Sequence, residues 1–311
     1  MTQQKDDPHV CDALKLMLSE NTSIERLHIE NSFWQSTNLV SSLLEGLGEN
    51  NGIRQLSIEL DAVVSHFLPS MQAQLIEKIA SNTALRRLII AGSKAERFHA
   101  LLSKHHLLAL LVSQHSLTAF HLVRIRLNAG VYEIAQAIRH NRYSHLTDIS
   151  LARCLTDRSL SPLFLSAILL LLGSKALRKL NVVGNHITND HFELIAMYLR
   201  NNKTLVRLNY QENELTAAGK KALNRLLRHH NKTLKWVFHE QISDKNSNDA
   251  ALMYYMGLNQ AGRGEMISPN ITKEQMVHLL GKVRLCVASF PHVQTSYHYE
   301  LLRSAPHVWA F

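Results

Sequence analysis

Hydrophobic side chains recur along this chain as apolar-x-x-apolar-x-apolar triplets: Ile24, Leu27 and Ile29; Ile53, Leu56 and Ile58; Leu85, Leu88 and Ile90; Leu117, Phe120 and Leu122. The triplet returns at Leu146, Ile149 and Leu151, at Leu177, Leu180 and Val182, and at Leu205, Leu208 and Tyr210. A last, incomplete copy is Leu234 and Val237, with His239 in the third place. Successive starts are 29, 32, 32, 29, 31, 28 and 29 residues apart. A near-constant interval of this size marks a repeat architecture. Within a unit the apolar period changes from two to about 3.6, which predicts a short strand followed by a helix. After Leu177 to Val182 come the turn signal Gly184-Asn185 and then Phe192, Ile195, Ala196 and Leu199 at helical spacing. After Leu205 to Tyr210 come Asn213 and Leu215, then Ala222, Leu223, Leu226 and Leu227 on one helical face.

These units resemble leucine-rich repeats of the ribonuclease-inhibitor type, whose pattern is Leu-x-x-Leu-x-Leu-x-x-Asn followed by a helix. Asn185 and Asn213 occupy the final polar position. Elsewhere that position holds Ser32, Asp61, Ser93, Ile125 and Cys154. Ile125 cannot bond the backbone, so the fourth unit is expected to be irregular. The resemblance covers roughly Ile24 to Glu240 and implies an α/β solenoid of about eight repeats, with parallel inner strands and outer helices. Strands stack about 4.8 Å apart, whereas helices with side chains are about 10 Å wide, so such a stack is expected to bend into a horseshoe.

The ends of a solenoid expose core positions unless they are covered. Residues 1–23, with Val10, Leu14, Leu16, Met17 and Leu18, are expected to form an N-terminal helical cap before the repeat domain, 24–243. Residues 244–311 are expected to form a C-terminal helical cap or small helical domain. Its expected helices are Ala250 to Leu258, Thr272 to Ser289 with the capping-box pattern Thr272-Lys273-Glu274-Gln275, and Ser296 to Arg303. Leu258-Asn259-Gln260-Ala261-Gly262-Arg263 resembles a tail that follows such repeats in some members of the family.

Composition narrows the setting. Three cysteines in 311 residues do not make a disulfide framework, which favours a reducing compartment. The start of the chain shows no basic-then-apolar leader, and its longest apolar run, Ala167 to Leu172, is far short of a membrane span. A cytoplasmic protein without a transmembrane segment is expected. Lys and Arg outnumber Asp and Glu by 34 to 25, and Gln241 to Phe311 contributes only a small share of the excess. A partner with an acidic surface is expected to meet the repeat region.

Nothing in the sequence argues for catalysis. Cys154 sits at a repeat position that wants a small buried polar group, and Cys11 and Cys286 lie on apolar helical patterns, so all three are expected to be core thiols. The nineteen histidines include His105-His106, His229-His230 and the tail set His292, His298 and His307. None has the spacing of a zinc site. No phosphate-cradling glycine loop is present. No enzyme, cofactor or metal is expected.

Strand alternation instead singles out a binding face. The position before the second apolar residue reads Arg26, Gln55, Arg87, Ala119, Asp148, Lys179, Arg207 and Trp236; the position after it reads His28, Ser57, Ile89, His121, Ser150, Asn181, Asn209 and Phe238. The partner-binding candidates are Arg26, His28, Arg87, His121, Asp148, Lys179, Asn181, Arg207, Asn209, Trp236 and Phe238. Arg and Trp are enriched at binding hot spots. The family resemblance implies a non-enzymatic scaffold that binds protein on its concave face, of the kind that bacteria secrete as effectors into the host cytosol. The alternative is an electrostatic binder of RNA or anionic membrane through Lys220, Lys221, Arg225, Arg228 and Lys232. Trp236 and Phe238 stand either on the binding face or beneath the C-terminal cap.

Overall fold

Each apolar triplet becomes a strand in the computed structural model, which describes residues 7–30, 33–34, 36–60, 69–92, 100–101, 104–113, 115–127, 130–140, 145–238, 247–266 and 271–289. The chain divides into two units, Met1–His186 and Ile187–Phe311.

In the first unit, helix α1 (Pro8–Glu20) precedes strand β1 (Arg26–Ile29), and strands and helices then alternate: α2 (Thr37–Glu49), β2 (Gln55–Leu60), α3 (Pro69–Ser81) and β3 (Arg87–Gly92). A two-residue strand β4 (Ala100–Leu101) comes before α4 (Lys104–Ser113), β5 (Ala119–Val123), β6 (Ile125–Arg126) and α5 (Gly130–His140). The unit closes with β7 (Asp148–Ala152), a 3-10 turn Arg158–Leu160, α6 (Ser161–Leu172) and β8 (Lys179–Asn181). The strands pair in parallel in the order β1, β2, β3, β5, β7, β8, as strand-helix-strand repetition requires.

The register places Leu27, Leu56, Leu88, Phe120, Ile149 and Leu180 in one row, and Ile29, Ile58, Ile90, Leu122 and Leu151 in the next. All are buried except Leu27, which is half-buried. Consecutive helices from α1 to α6 pack against one another. The α1 helix starts at Asp7, whose carboxylate accepts from the His9 amide, and has Pro8 in its first turn. Only part of the expected apolar set on α1 is buried. Cys11 and Leu18 are in the core, whereas Val10, Leu16 and Met17 are exposed. One helical face collects positions 11, 14, 15 and 18, so the consecutive run Leu16-Met17-Leu18 winds off it.

Two sets of polar groups bond successive repeats together along the chain. The first was expected: Asn185 accepts from the Cys154 and Leu155 amides and donates to the Leu151 and Val183 carbonyls, at 2.7–3.1 Å. The Cys154 thiol extends the series, donating to the Leu122 and Ala152 carbonyls. The fourth unit is irregular in the way Ile125 foretold. Ile125 is buried and pairs with Ala100 in a separate two-stranded sheet. The equivalents Ser32, Asp61 and Ser93 lie outside the described residues. Two places beyond the third apolar position, Arg124, Arg153 and Gly184 all adopt positive φ. Glycine is needed at 184, where a Cβ would stand 2.7 Å from Cγ of Arg153.

The second series runs through the helix-to-strand loops. Asn50 donates to the Leu18 and Asn21 carbonyls and accepts from the Gly52 and Ile53 amides. Asn82 repeats this with Leu47, Asn50, Ala84 and Leu85, and Asn21 holds the Ser23 and Ile24 amides.

The second unit contains α7 (Asn189–Leu199), β9 (Arg207–Asn209), α8 (Ala217–His229), β10 (Trp236–Phe238), α9 (Ser247–Gln260), α10 (Arg263–Met266) and α11 (Lys273–Ala288). Strands β9 and β10 are parallel, with Arg207 opposite Trp236 and Asn209 opposite Phe238. Asn213 holds the Ile187 amide and the Tyr210 carbonyl, and Glu212 repeats the positive φ. Asn231 bonds the Leu199 and Asn202 carbonyls and the Thr233 and Leu234 amides.

The tail motif extends this series. Asn259 donates to the Asn231 and Leu234 carbonyls, and Gly262 adopts φ +94. Arg263, itself buried, donates to the Leu227 carbonyl in the last turn of α8 and to Asn259 Oδ1, and its guanidinium lies 5.4 Å from the Tyr255 ring centroid. Met256 accepts from the outer-edge amide of Val237, and α9 packs on α8 and α11. The expected capping box is present: Thr272 Oγ1 accepts from the Gln275 amide, and Gln275 Oε1 accepts from the Thr272 amide. The helix expected over Ser296 to Arg303 lies outside the described residues.

Candidate functional site

In the first unit, the residues alternating with the buried rows form two polar rows in register. Arg26, Gln55, Arg87, Ala119, Asp148 and Lys179 make one; His28, Ser57, Ile89, His121, Ser150 and Asn181 make the other. Ala119 separates Arg87 from Asp148, and its small side chain leaves the guanidinium room to reach the carboxylate across it. Arg87 Nη2 is 3.8 Å from Asp148 Oδ2, Lys179 Nζ is 3.4 Å from the same oxygen, and His121 Nε2 is 3.0 Å from Oδ1.

Asp148 is therefore the hub of the cluster, with its side chain only 15% exposed. Burial by itself pushes its carboxyl upward, but the hydrogen bond and charge of His121, followed by Lys179, outweigh burial. The net result is a carboxyl held below its ordinary range. Asn181 is oriented by donating to Ser150 Oγ at 3.0 Å and accepting from the Val183 amide at 3.2 Å. Arg26 and His28 are exposed on β1.

In the second unit, the opposition of Arg207 and Trp236 places the guanidinium 5.8 Å from the Trp236 ring and 5.7 Å from the Phe238 ring. Cation–π attraction operates at this range. Trp236 and Phe238 are 43% and 39% exposed, so among the described residues neither is buried beneath the helices that follow. Asn209 is held by the Gln211 amide at 3.3 Å.

The other candidate chemistry falls elsewhere. Cys154 is fully buried, and burial pushes its thiol up to about 12, a hydrogen bond from the Ile125 backbone offsetting little of the rise. Its place is in the ladder. Cys11 is also buried, while the Cys286 side chain lies outside the described residues. The side chains of His105 and His106, and all of His292, His298 and His307, lie outside them too. Among the described residues no three His, Cys, Asp or Glu side chains stand close enough to share a metal ion. No helix among them is long and apolar enough to cross a membrane.

The basic candidates on and just after α8 divide. Lys221, Arg225 and Arg228 are exposed, whereas Lys220 and Lys232 are half-buried. Burial, with the charge of Arg263 second, holds the Lys232 ammonium below its ordinary range.

The loop asparagines and Arg263 are the residues that sequence reasoning overlooked. Their signal was present. Asn21, Asn50, Asn82, Asn202 and Asn231 all stand three residues before the first apolar position of a unit.

No protein-family model matches the sequence, and no curated protein does. Among solved structures, actin-binding site 2 of leiomodin-1 is similar at 16% identity, covering 51% of this chain and 90% of that one with a TM-score of 0.41. A Bacteroides fragilis protein is similar at 13% identity, covering 69% and 74% respectively, with a TM-score of 0.39. At these values neither neighbour informs the chemistry of the strand face.

Proposed function

We propose that this chain is a non-enzymatic protein-binding scaffold of the leucine-rich repeat kind, with ribonuclease-inhibitor-type units bent into a horseshoe. Its concave strand face takes an acidic partner. α1 and α9 to α11 serve as caps.

The observation that carries this reading is the stack of Arg207 on two exposed aromatic rings. Large apolar side chains left in solvent on a sheet face cost hydration free energy that a partner's surface recovers. The ring faces hold the guanidinium in place before any partner arrives, which lowers the ordering cost of binding. The Arg87, His121, Asp148 and Lys179 cluster adds a second preordered group with more cationic than anionic side chains. Its bonds to Asp148 leave a partner carboxylate able to share Arg87 and Lys179.

The test is capture and identification of partners with wild type, Arg87→Glu, Arg207→Glu and Trp236→Ala. Loss of the same partners in all three variants is expected. Identical partner sets would overturn the proposal.

The finer reading, a bacterial effector acting in host cytosol, rests on the family resemblance. Following a tagged copy in co-culture tests it, and retention inside the bacterium would count against it. The exposed row Lys221, Arg225 and Arg228 supports a second reading, salt-sensitive binding to RNA or anionic membrane. Absence of binding at low salt would remove that reading.

A further inference from the structure

The second unit carries a hollow that the strand-face proposal does not use. Helix α7 sets Ala196 and Met197 opposite Ala222 and Leu226 of α8, around a cavity of about 120 Å³. Two facing alanines leave this space; longer side chains at 196 and 222 would fill it. The rim is charged. Arg200 and Arg225 border the hollow with His230, and Glu193 is the acidic residue among its lining. Burial first, then the charges of Arg200 and His229, keeps the His230 imidazole below its ordinary pKa.

Next to the hollow α7 exposes Leu194, Met197 and Tyr198, at 43%, 55% and 53%. These three occupy i, i+3 and i+4, one contiguous apolar patch on the helix surface. Exposed Lys221 and Arg228 extend the cationic rim along α8.

We infer that the α7–α8 groove is a docking site for an acidic amphipathic helix, which inserts one apolar side chain between Ala196 and Ala222 and sets carboxylates against Arg200 and Arg225. The hollow is partly open and half of its lining is polar or charged, so only the part bounded by Ala196, Met197, Ala222 and Leu226 is apolar, with room for one aliphatic side chain beneath the charged rim. A helix laid in a groove supplies such anchors at i, i+3, i+4 and i+7, the spacing that the flanking patch can meet. Charge selects the sign of the partner, since the cations of α8 and Arg200 outnumber Glu193. RNA fits less well because Tyr198 is the one aromatic ring of the patch available for stacking. A fluid bilayer has no fixed side chain to place in a concave hollow. The site is independent of the strand face and stands or falls without it.

Selection of helical peptides from a displayed library against the whole chain tests the inference. Enriched peptides are expected to be net acidic with apolar residues at helical spacing. Their affinity should fall roughly tenfold or more, as for loss of an interface anchor, on Ala222→Met and on Arg200→Glu with Arg225→Glu. It should be unchanged on Arg207→Glu, which separates this site from the strand face. The double charge variant alters exposed side chains only, so it reports even if Ala222→Met disturbs packing. Enriched peptides without acidic bias, or binding indifferent to the charge variant, would overturn the inference. So would an empty selection, including one accompanied by binding of phosphatidylserine vesicles or RNA that the charge variant abolishes.

Discussion

Replacing Asn50 with alanine should be among the most damaging single changes to the first unit, although Asn50 is not one of the strand-face residues and sits in a loop. The side chain is 1% exposed and makes bonds in two directions. Its amide nitrogen holds the carbonyls of Leu18 and Asn21 at the end of α1. Its oxygen holds the Gly52 and Ile53 amides, at 2.8 and 2.7 Å, as the chain enters β2. Three of these bonds are buried and one is part-buried, so water cannot replace most of them. A buried group left without a partner costs about 1–3 kcal/mol. Relaxation and partial hydration place the total loss at about 4 kcal/mol. Asn21 occupies the same repeat position and supplies the control: its oxygen serves the Ser23 and Ile24 amides, and its Ser23 bonds are exposed. Asn21→Ala should cost about 1 kcal/mol or less. Urea unfolding followed by circular dichroism gives both values, provided the denaturant slope is unchanged. If Asn50→Ala loses no more than Asn21→Ala, the loop asparagines do not link the repeats.

Other outcomes follow from single residues. The lowered pKa of Asp148 means that its ionised form stabilises the fold at pH above its ordinary value of 3.8, and that this contribution is lost as pH falls through the folded-state value. The stability gap between wild type and Asp148→Asn should therefore be wide at pH 6 and narrow at pH 3 in urea titrations. A gap independent of pH would contradict the cluster. With its thiol near 12 and fully buried, Cys154 should resist alkylation at pH 8 in the native protein and react once unfolded, as peptide mapping would show. Gly262→Ala should cost about 2 kcal/mol by urea unfolding, because φ is +94 and the new Cβ would stand 2.6 Å from Leu279. An unchanged midpoint would mean that the α9–α11 region tolerates a different turn.

The strands were legible almost to the residue because a two-residue period beside a helix admits few alternatives. The register that aligned Arg87, Asp148 and Lys179 follows directly from the triplet spacing. What that spacing could not supply was distance. Nothing in the sequence said that Arg87 would reach across Ala119, or that Arg207 would settle on two rings. These depend on side-chain rotamers and on neighbours about thirty residues away. On α1, apolar identity alone was misleading: Leu16 and Met17 are as hydrophobic as Leu18, but only the last points inward. The loop asparagines were visible as a constant offset, and they went unread because the family pattern draws attention to the position after the strand. Gly262 and Arg263 were recognised as a motif, but their purpose needed the carbonyl of Leu227 at the end of α8.

The loop series is not uniform. At the sixth repeat the position holds Ser174, whose hydroxyl oxygen accepts from the Ala176 amide, and hydroxyls add bonds between other repeats: Ser116 donates to the Leu85 carbonyl, Thr118 to Arg86, Thr147 to Thr118 and Thr233 to Asn202. One hydroxyl proton replaces the two donors and two-fold acceptor of an amide side chain. Mechanical pulling or rising temperature should then open the first unit at the Ser174 joint before the turns tied by Asn50 and Asn82. A chain joined this way can gain or lose whole turns where the amides recur, because each joint presents the same chemistry to the next.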